Sequence, residues 1–325
     1  MSKGKLPVNK TKCNSERSLA MKQLIIIAGP TATGKSALAI ELAEILNGEI
    51  VSADSMQVYK RMDIGTAKPK ASDLDRIKHY LIDVVEPDFD FNAAIFQNIA
   101  KEAIREIHNK DKIPILVGGT GFYINALIYK SEFEHYEEAK ISRKEEFSMD
   151  SPESLFAKLI EIDPEYAQNT HMNNVKRVMR ALEYYQETGE KFSAYNKRSK
   201  DNRSPEYDFK FFILNRDRER LYEGINSRVD DMIACGLIDE VDSLLKSGLK
   251  ESMTSMQGLG YKEICAYLNG RVSKESAIDM VKQGTRRFAK RQITWFKHQS
   301  EGTWLDGDSK GMKAIAQDIM RGIGE

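Results

Sequence analysis

Cysteine is scarce in this chain of 325 residues: Cys13, Cys235 and Cys265 are far apart and in no metal-ligand spacing. That excludes a disulfide framework and fits a reducing compartment. Long apolar runs are also missing. The longest, Leu24 to Ala28, falls far short of the roughly 20 residues that cross a bilayer, so the expectation is a soluble, cytoplasmic protein with no membrane partner. Eight prolines, 41% hydrophobic and 30% charged residues exclude collagen-like and wholly disordered chains. An excess of one charge is absent as well, with 49 Lys/Arg against 49 Asp/Glu. Any site for a polyanion must therefore be local. Residues 1–21 are basic and polar without the apolar core of a secretory signal and read as a flexible tail, with Met21 a candidate start.

Apolar segments rich in β-branched residues alternate with helical text. Strands are expected at Leu24–Ala28, Glu49–Ser52, Tyr80–Val85, Ile113–Val117 and Phe209–Leu214, with helices around Asn92–His108 and Phe122–Tyr129. This alternation predicts an α/β fold, a P-loop-type parallel sheet covered by helices. Residues 130–205 read as a helical insertion, which divides the core into 22–129 and 206–325. Further helices are expected at Arg218–Cys235, Ile238–Lys246, Tyr261–Asn269 and Lys274–Gln299.

Gly29-Pro30-Thr31-Ala32-Thr33-Gly34-Lys35-Ser36 fits G-x-x-x-x-G-K-[ST] between a strand and a helix. In such a loop the backbone N–H groups gather around phosphate oxygens, the lysine adds a charge and the Ser36 hydroxyl can ligate Mg²⁺. A diphosphate site follows, but not its chemistry. A GTPase is disfavoured, since Asn109-Lys110-Asp111-Lys112 places its acid one residue early for base reading. Asp54 follows a strand and is expected at the carboxyl edge of the sheet, where a carboxylate can order Mg²⁺ waters or accept a proton; a plain helix-capping role is the alternative. Gly118-Gly119-Thr120-Gly121 is a second glycine turn, explicable by close packing alone.

These blocks, with Asp54-Ser55-Met56-Gln57-Val58-Tyr59, Asp63-Ile64-Gly65-Thr66-Ala67-Lys68-Pro69, Asn173–Glu183 and Gly258-Leu259-Gly260-Tyr261, occur in an order that resembles the bacterial tRNA isopentenyltransferase family. The resemblance implies transfer of a dimethylallyl group from dimethylallyl diphosphate to N6 of the adenosine 3′ of the anticodon, by a monomer that uses Mg²⁺. It implies Asp54 as general base, Thr120 as gate of the channel, Lys35 with Gly29–Ser36 and Arg218 as diphosphate site, and Ser36 as metal ligand. It places tRNA contacts at Asp54, Ser55, Met56, Gln57, Thr120, Arg143, Lys176, Arg177, Arg180, Gln257, Gly260, Tyr261, Lys262 and Arg287.

Helical spacing gives Val175, Val178, Met179, Leu182 and Tyr185 one face and Lys176, Arg177 and Arg180 the other. Near the C-terminus, Val281, Thr285, Phe288, Gln292, Trp295 and Phe296 share a face, and Lys282, Arg286, Arg287, Lys290 and Arg291 point away. Residues 271–300 hold eight Lys/Arg against two Asp/Glu, suited to a phosphate backbone or to plain solvation. Two positions depart from the resembling family: Gly224 stands where arginine is usual, with Arg220 or Arg228 as candidate substitutes, and Asn174 where an acid is usual. The rival functions are a P-loop small-molecule or nucleotide kinase, an adenylate isopentenyltransferase and a non-catalytic tRNA-binding protein.

Overall fold

The structure, a computed structural model, describes residues 23–129, 150–201 and 204–324; Arg143 lies outside them. Six strands form one all-parallel sheet in the order β3-β2-β4-β1-β5-β6. They are β1 (Gln23–Ala28), β2 (Gly48–Ser52), β3 (His79–Tyr80), β4 (Ile113–Gly118), β5 (Asp208–Asn215) and β6 (Thr303–Asp306). In β1, period-two alternation feeds two separate cores, which explains its unbroken apolar run. Leu24, Ile26 and Ala28 join one core with Leu116 and Phe211, while Ile25 and Ile27 join the other with Ile115, Val117 and Leu214.

The first core is covered by α3 (Ala93–Asn109), α4 (Gly121–Ile128), α10 (Leu237–Lys246), α11 (Tyr261–Leu268) and α12 (Lys274–Gln299). The second is covered by α1 (Lys35–Leu46) and α13 (Met312–Gly324), with Leu38 and Leu42 buried alongside Ile315 and Ile319. The short α2 (Ala71–Arg76) precedes β3, and α9 (Arg218–Ala234) follows β5. Between them α5 (Pro152–Ile162), α6 (Pro164–Gln168), α7 (Val175–Thr188) and α8 (Phe192–Asp201) bury Leu155, Leu159, Val178, Leu182 and Phe192 in a core of their own.

Two expectations are corrected and one omission is filled. The strand expected at Tyr80–Val85 ends at Tyr80, because Leu81 and Asp83 take left-handed backbone angles, φ 63° and 56°; Val85 returns only as an isolated bridge to Tyr59. On α7 it is Tyr184, not Tyr185, that is buried, its ring against Phe192. The omission concerns β6 and α13, which the sequence pattern did not reveal. The first is four residues long and mostly exposed, and the second is recognisable only by its fit against α1.

Candidate functional site

Parallel strands place all their carboxyl ends at one edge, where open α/β sheets bind ligands. The P-loop leaves β1 there, the Asp54 turn leaves β2 and the Thr120 turn leaves β4. Glycine is required at the crossing points. A Cβ on Gly29 (φ 141°) would lie 2.1 Å from the Leu214 carbonyl oxygen, and one on Gly118 2.2 Å from that of Ala53. Together these turns, α9, α12 and the segment 257–262 enclose a cleft of about 410 Å³, within the range of small-molecule sites.

Thr31, Lys35 and Ser36 line the cleft, while Thr33 is fully buried beneath it. Lys35 Nζ donates to the Pro30 carbonyl at 2.6 Å. Desolvation, reinforced by the nearby Arg228 charge, lowers the Lys35 pKa to about 7 against the pull of Asp54. Arg228 is itself held below its usual value by burial, again opposed by Asp54; its Nη1 lies 3.4 Å from Thr31 Oγ1. Two basic groups buried side by side, with the Asp54 carboxylate opposing their loss of charge, make a receptor for a multiply charged anion.

Asp54 lines the same cleft and its Oδ1 accepts from Met56 N–H at 2.9 Å, so a local Asx turn aims the carboxylate. Gln57 is fixed at both ends: its Oε1 accepts from Ser52 Oγ at 3.0 Å, and its Nε2 donates to the Thr66 and Ala67 carbonyls at 3.3 Å. Ser55, Met56, Thr120, Gln257, Gly260 and Lys262 also border the cavity. His79 does too; its Nδ1 sits 2.8 Å from the Ile77 carbonyl, and burial lowers its pKa.

One side chain from α12 joins two of the turns. Gln292, 7% exposed, accepts from Thr31 N–H at 3.0 Å and donates to the Gly119 carbonyl at 2.9 Å. A Cβ on Gly119 would come within 2.2 Å of its Nε2, and one on Gly121 within 2.1 Å of the Trp295 ring. The glycine turn therefore serves close packing and the cleft at once. The sequence signal for Gln292 is a lone amide in the apolar face of α12; its partners are not visible there.

Several expected residues lie elsewhere. Arg218 is exposed and stacks over the Tyr222 ring, 5.3 Å from its centroid, outside the cleft. Tyr261 is fully buried and donates to Glu240 Oε1 at 2.7 Å, so it supports the wall without lining it. Arg287 is exposed on α12, and Lys176, Arg177 and Arg180 are exposed on α7, beyond the cavity. Arg291, expected to point away, borders the cleft instead, over Phe288. Lys282 pairs with Asp230 at 2.6 Å and Arg286 donates to Asn226 at 2.5 Å, so these two basic residues fasten α12 to α9. A Cβ on Gly224 would have only the Ala32 carbonyl oxygen within 4 Å, at 3.6 Å, so the position faces the P-loop with room for a side chain.

Comparison with known proteins agrees with this geometry. The IPP transferase family matches residues 57–299. The tRNA dimethylallyltransferase of Lachnoclostridium phytofermentans is 49% identical over 288 residues, covering 88% of this chain and 92% of its own. Among solved structures, the tRNA delta(2)-isopentenylpyrophosphate transferase of Staphylococcus epidermidis superposes with a TM-score of 0.69 at 40% identity, covering 93% of this chain and 99% of that one. A eukaryotic dimethylallyltransferase acting on tRNA gives 0.79 at 31% identity, over 93% and 80%. With three-quarters of its length inside the family match and a relative at this identity along most of both chains, the chain belongs to the IPP transferase family.

Proposed function

We propose that this cleft transfers the dimethylallyl group of dimethylallyl diphosphate to N6 of the adenosine 3′ of the anticodon in tRNA. The observation that carries the proposal is that one cavity holds the desolvated Lys35–Arg228 pair beside the Asp54 carboxylate. The diphosphate occupies the cationic end. Its C1–O bond breaks with the electron pair leaving on the diphosphate, the N6–C1 bond forms, and Asp54 takes the proton lost from N6. An adenine amine is a weak nucleophile, its lone pair delocalised into the ring. A positioned base and a stabilised leaving group are therefore the two needs of the reaction. The cavity is recessed, so the adenine reaches it flipped out of its stack.

Mg²⁺ fits the donor set. Ser36 and Asp54 offer hard oxygen ligands, too few for a cage of protein alone, as expected of an ion bound largely through substrate phosphates. When bound, it neutralises charge on the departing diphosphate. Exposed Lys262, Arg287 and Lys290, with the basic face of α7, supply cations for the tRNA backbone. No described helix is long and apolar enough to cross a membrane.

The test is incubation of the full chain, as a monomer by expectation, with labelled dimethylallyl diphosphate, Mg²⁺ and an anticodon stem-loop. Label on the stem-loop adenosine is the expected result. Absence of label together with γ-phosphate loss from ATP would overturn the proposal in favour of a P-loop kinase; label on free AMP but not on the stem-loop would favour an adenylate prenyltransferase.

A further inference from the structure

We infer that Glu240 is a positioning residue for the acceptor base: its carboxylate holds two walls of the cleft in register. This rests on the prenyl-transfer reading of the site. Glu240 sits in the first turns of α10, away from the cavity lining. Its Oε2 accepts from the N–H groups of Asp63 and Ile64, both at 2.8 Å, and its Oε1 from Gly65 N–H at 3.1 Å and the Tyr261 hydroxyl at 2.7 Å. Three successive backbone N–H groups form a nest of the kind that binds anions. Here the anion is a side chain of the protein itself.

Each partner leads to a different wall. Residues 63–65 run into Thr66 and Ala67, whose carbonyls hold the amide of Gln57, which directly follows the Asp54–Met56 turn. Tyr261 opens α11 directly after the wall formed by Gln257, Gly258 and Gly260. The two walls meet with no space to spare. A Cβ on Gly65 would lie 2.5 Å from the Tyr261 ring, and one on Gly258 2.4 Å from Met56 Cε. Among the described residues the Glu240 carboxylate bonds to Asp63, Ile64, Gly65 and Tyr261, and not to Lys35, Arg228 or the P-loop. Loss of the carboxylate should therefore misplace the acceptor and spare the diphosphate.

The variant Glu240→Gln keeps the shape but sets an amide nitrogen where Oε1 stood, donor against the Gly65 N–H donor. Tyr261→Phe removes one of the four bonds and leaves the carboxylate. Both are assayed as full chains for dimethylallyl transfer to an anticodon stem-loop, with thermal melting in parallel. Expected is a fall of about 10- to 100-fold in kcat/KM for the stem-loop in Glu240→Gln, the scale of small misplacements near a reacting group. A smaller fall is expected in Tyr261→Phe, with KM for dimethylallyl diphosphate within about twofold of the parent in both. Equal losses toward both substrates, or a lowered melting temperature with unchanged kinetics, would show a merely structural role and overturn the inference. If Glu240→Gln does not fold, Tyr261→Phe decides by the same split. An inactive parent chain would instead refute the prenyl-transfer reading; the role of Glu240 would then be judged by stem-loop affinity in filter binding, which Glu240→Gln must weaken.

Discussion

Binding of dimethylallyl diphosphate at pH 8 should draw a proton into the protein, and Lys35 should be where it lands. With its pKa at about 7 in the ligand-free cleft, Lys35 is about one-tenth protonated at pH 8. An organic diphosphate adds negative charge beside this lysine and Arg228 beyond that of Asp54, which moves the pKa back toward the ordinary lysine range. Uptake should thus approach about 0.9 proton per diphosphate at pH 8 and fall to about 0.1 at pH 6. The assay is isothermal titration at each pH in buffers of different ionisation enthalpy, where the slope of observed enthalpy gives the proton count. Lys35→Arg, charged throughout, should bind without uptake. Lys35→Met should also show none and should lose about 1.5–3 kcal/mol of affinity, the scale of a charge-assisted hydrogen bond. No uptake by the parent chain at pH 8, or uptake that persists in Lys35→Met, would refute the reasoning. The same shift has a folding consequence. Between about pH 7 and 10.5 the unfolded chain holds a proton that the folded one has released, so this group makes the ligand-free protein more stable as pH rises through that window.

Asp54→Ala should lower kcat by about 10² or more while stem-loop affinity stays within a few-fold, since the carboxylate serves proton transfer; near-normal turnover in single-turnover assays would dismiss it as the base. Gly119→Ala must displace Gln292, which holds Thr31 N–H, so a destabilisation of about 1–3 kcal/mol in urea melts should accompany weaker diphosphate binding. Loss of stability with unchanged diphosphate affinity would detach Gln292 from the phosphate site. Gly224→Arg has room beside the Ala32 carbonyl and should lower KM for dimethylallyl diphosphate without altering KM for tRNA. An unchanged value would mean that Arg228 already satisfies the diphosphate, and then Arg228→Ala should be tolerated only in the Gly224→Arg background.

Local chemistry was legible in the sequence, and distant approach was not. The P-loop and the Asp54 turn announce themselves because a loop of eight residues or an Asx turn carries its own geometry. Most helices were readable for the same reason: α12, for one, runs over the expected span, Lys274–Gln299. Arg228 and Gln292 owe their roles to α9 and α12 reaching the P-loop residue Thr31, 197 and 261 residues earlier in the chain, which periodicity does not encode. Arg218, which the family resemblance gives to the diphosphate, stacks over its own i+4 neighbour, Tyr222. Tyr261 sits in a block read as a contact with tRNA, but its ring seals the back of the wall against Gly65.

The central strand has a further consequence, for the order in which the molecule is assembled. Ile27 pairs with Val117 on one side and with Phe212 on the other, and α1 is covered by α13 from the far end of the chain. Parallel pairings over such separations must close large loops before they return any contact energy, so they form late. The helices α5–α8, packed on a core of their own from neighbouring segments, face no such delay. During synthesis the basic face of α7 should therefore take shape before β5 and β6 have joined the sheet, and the P-loop should gain its last support only when Ile315 and Ile319 reach α1.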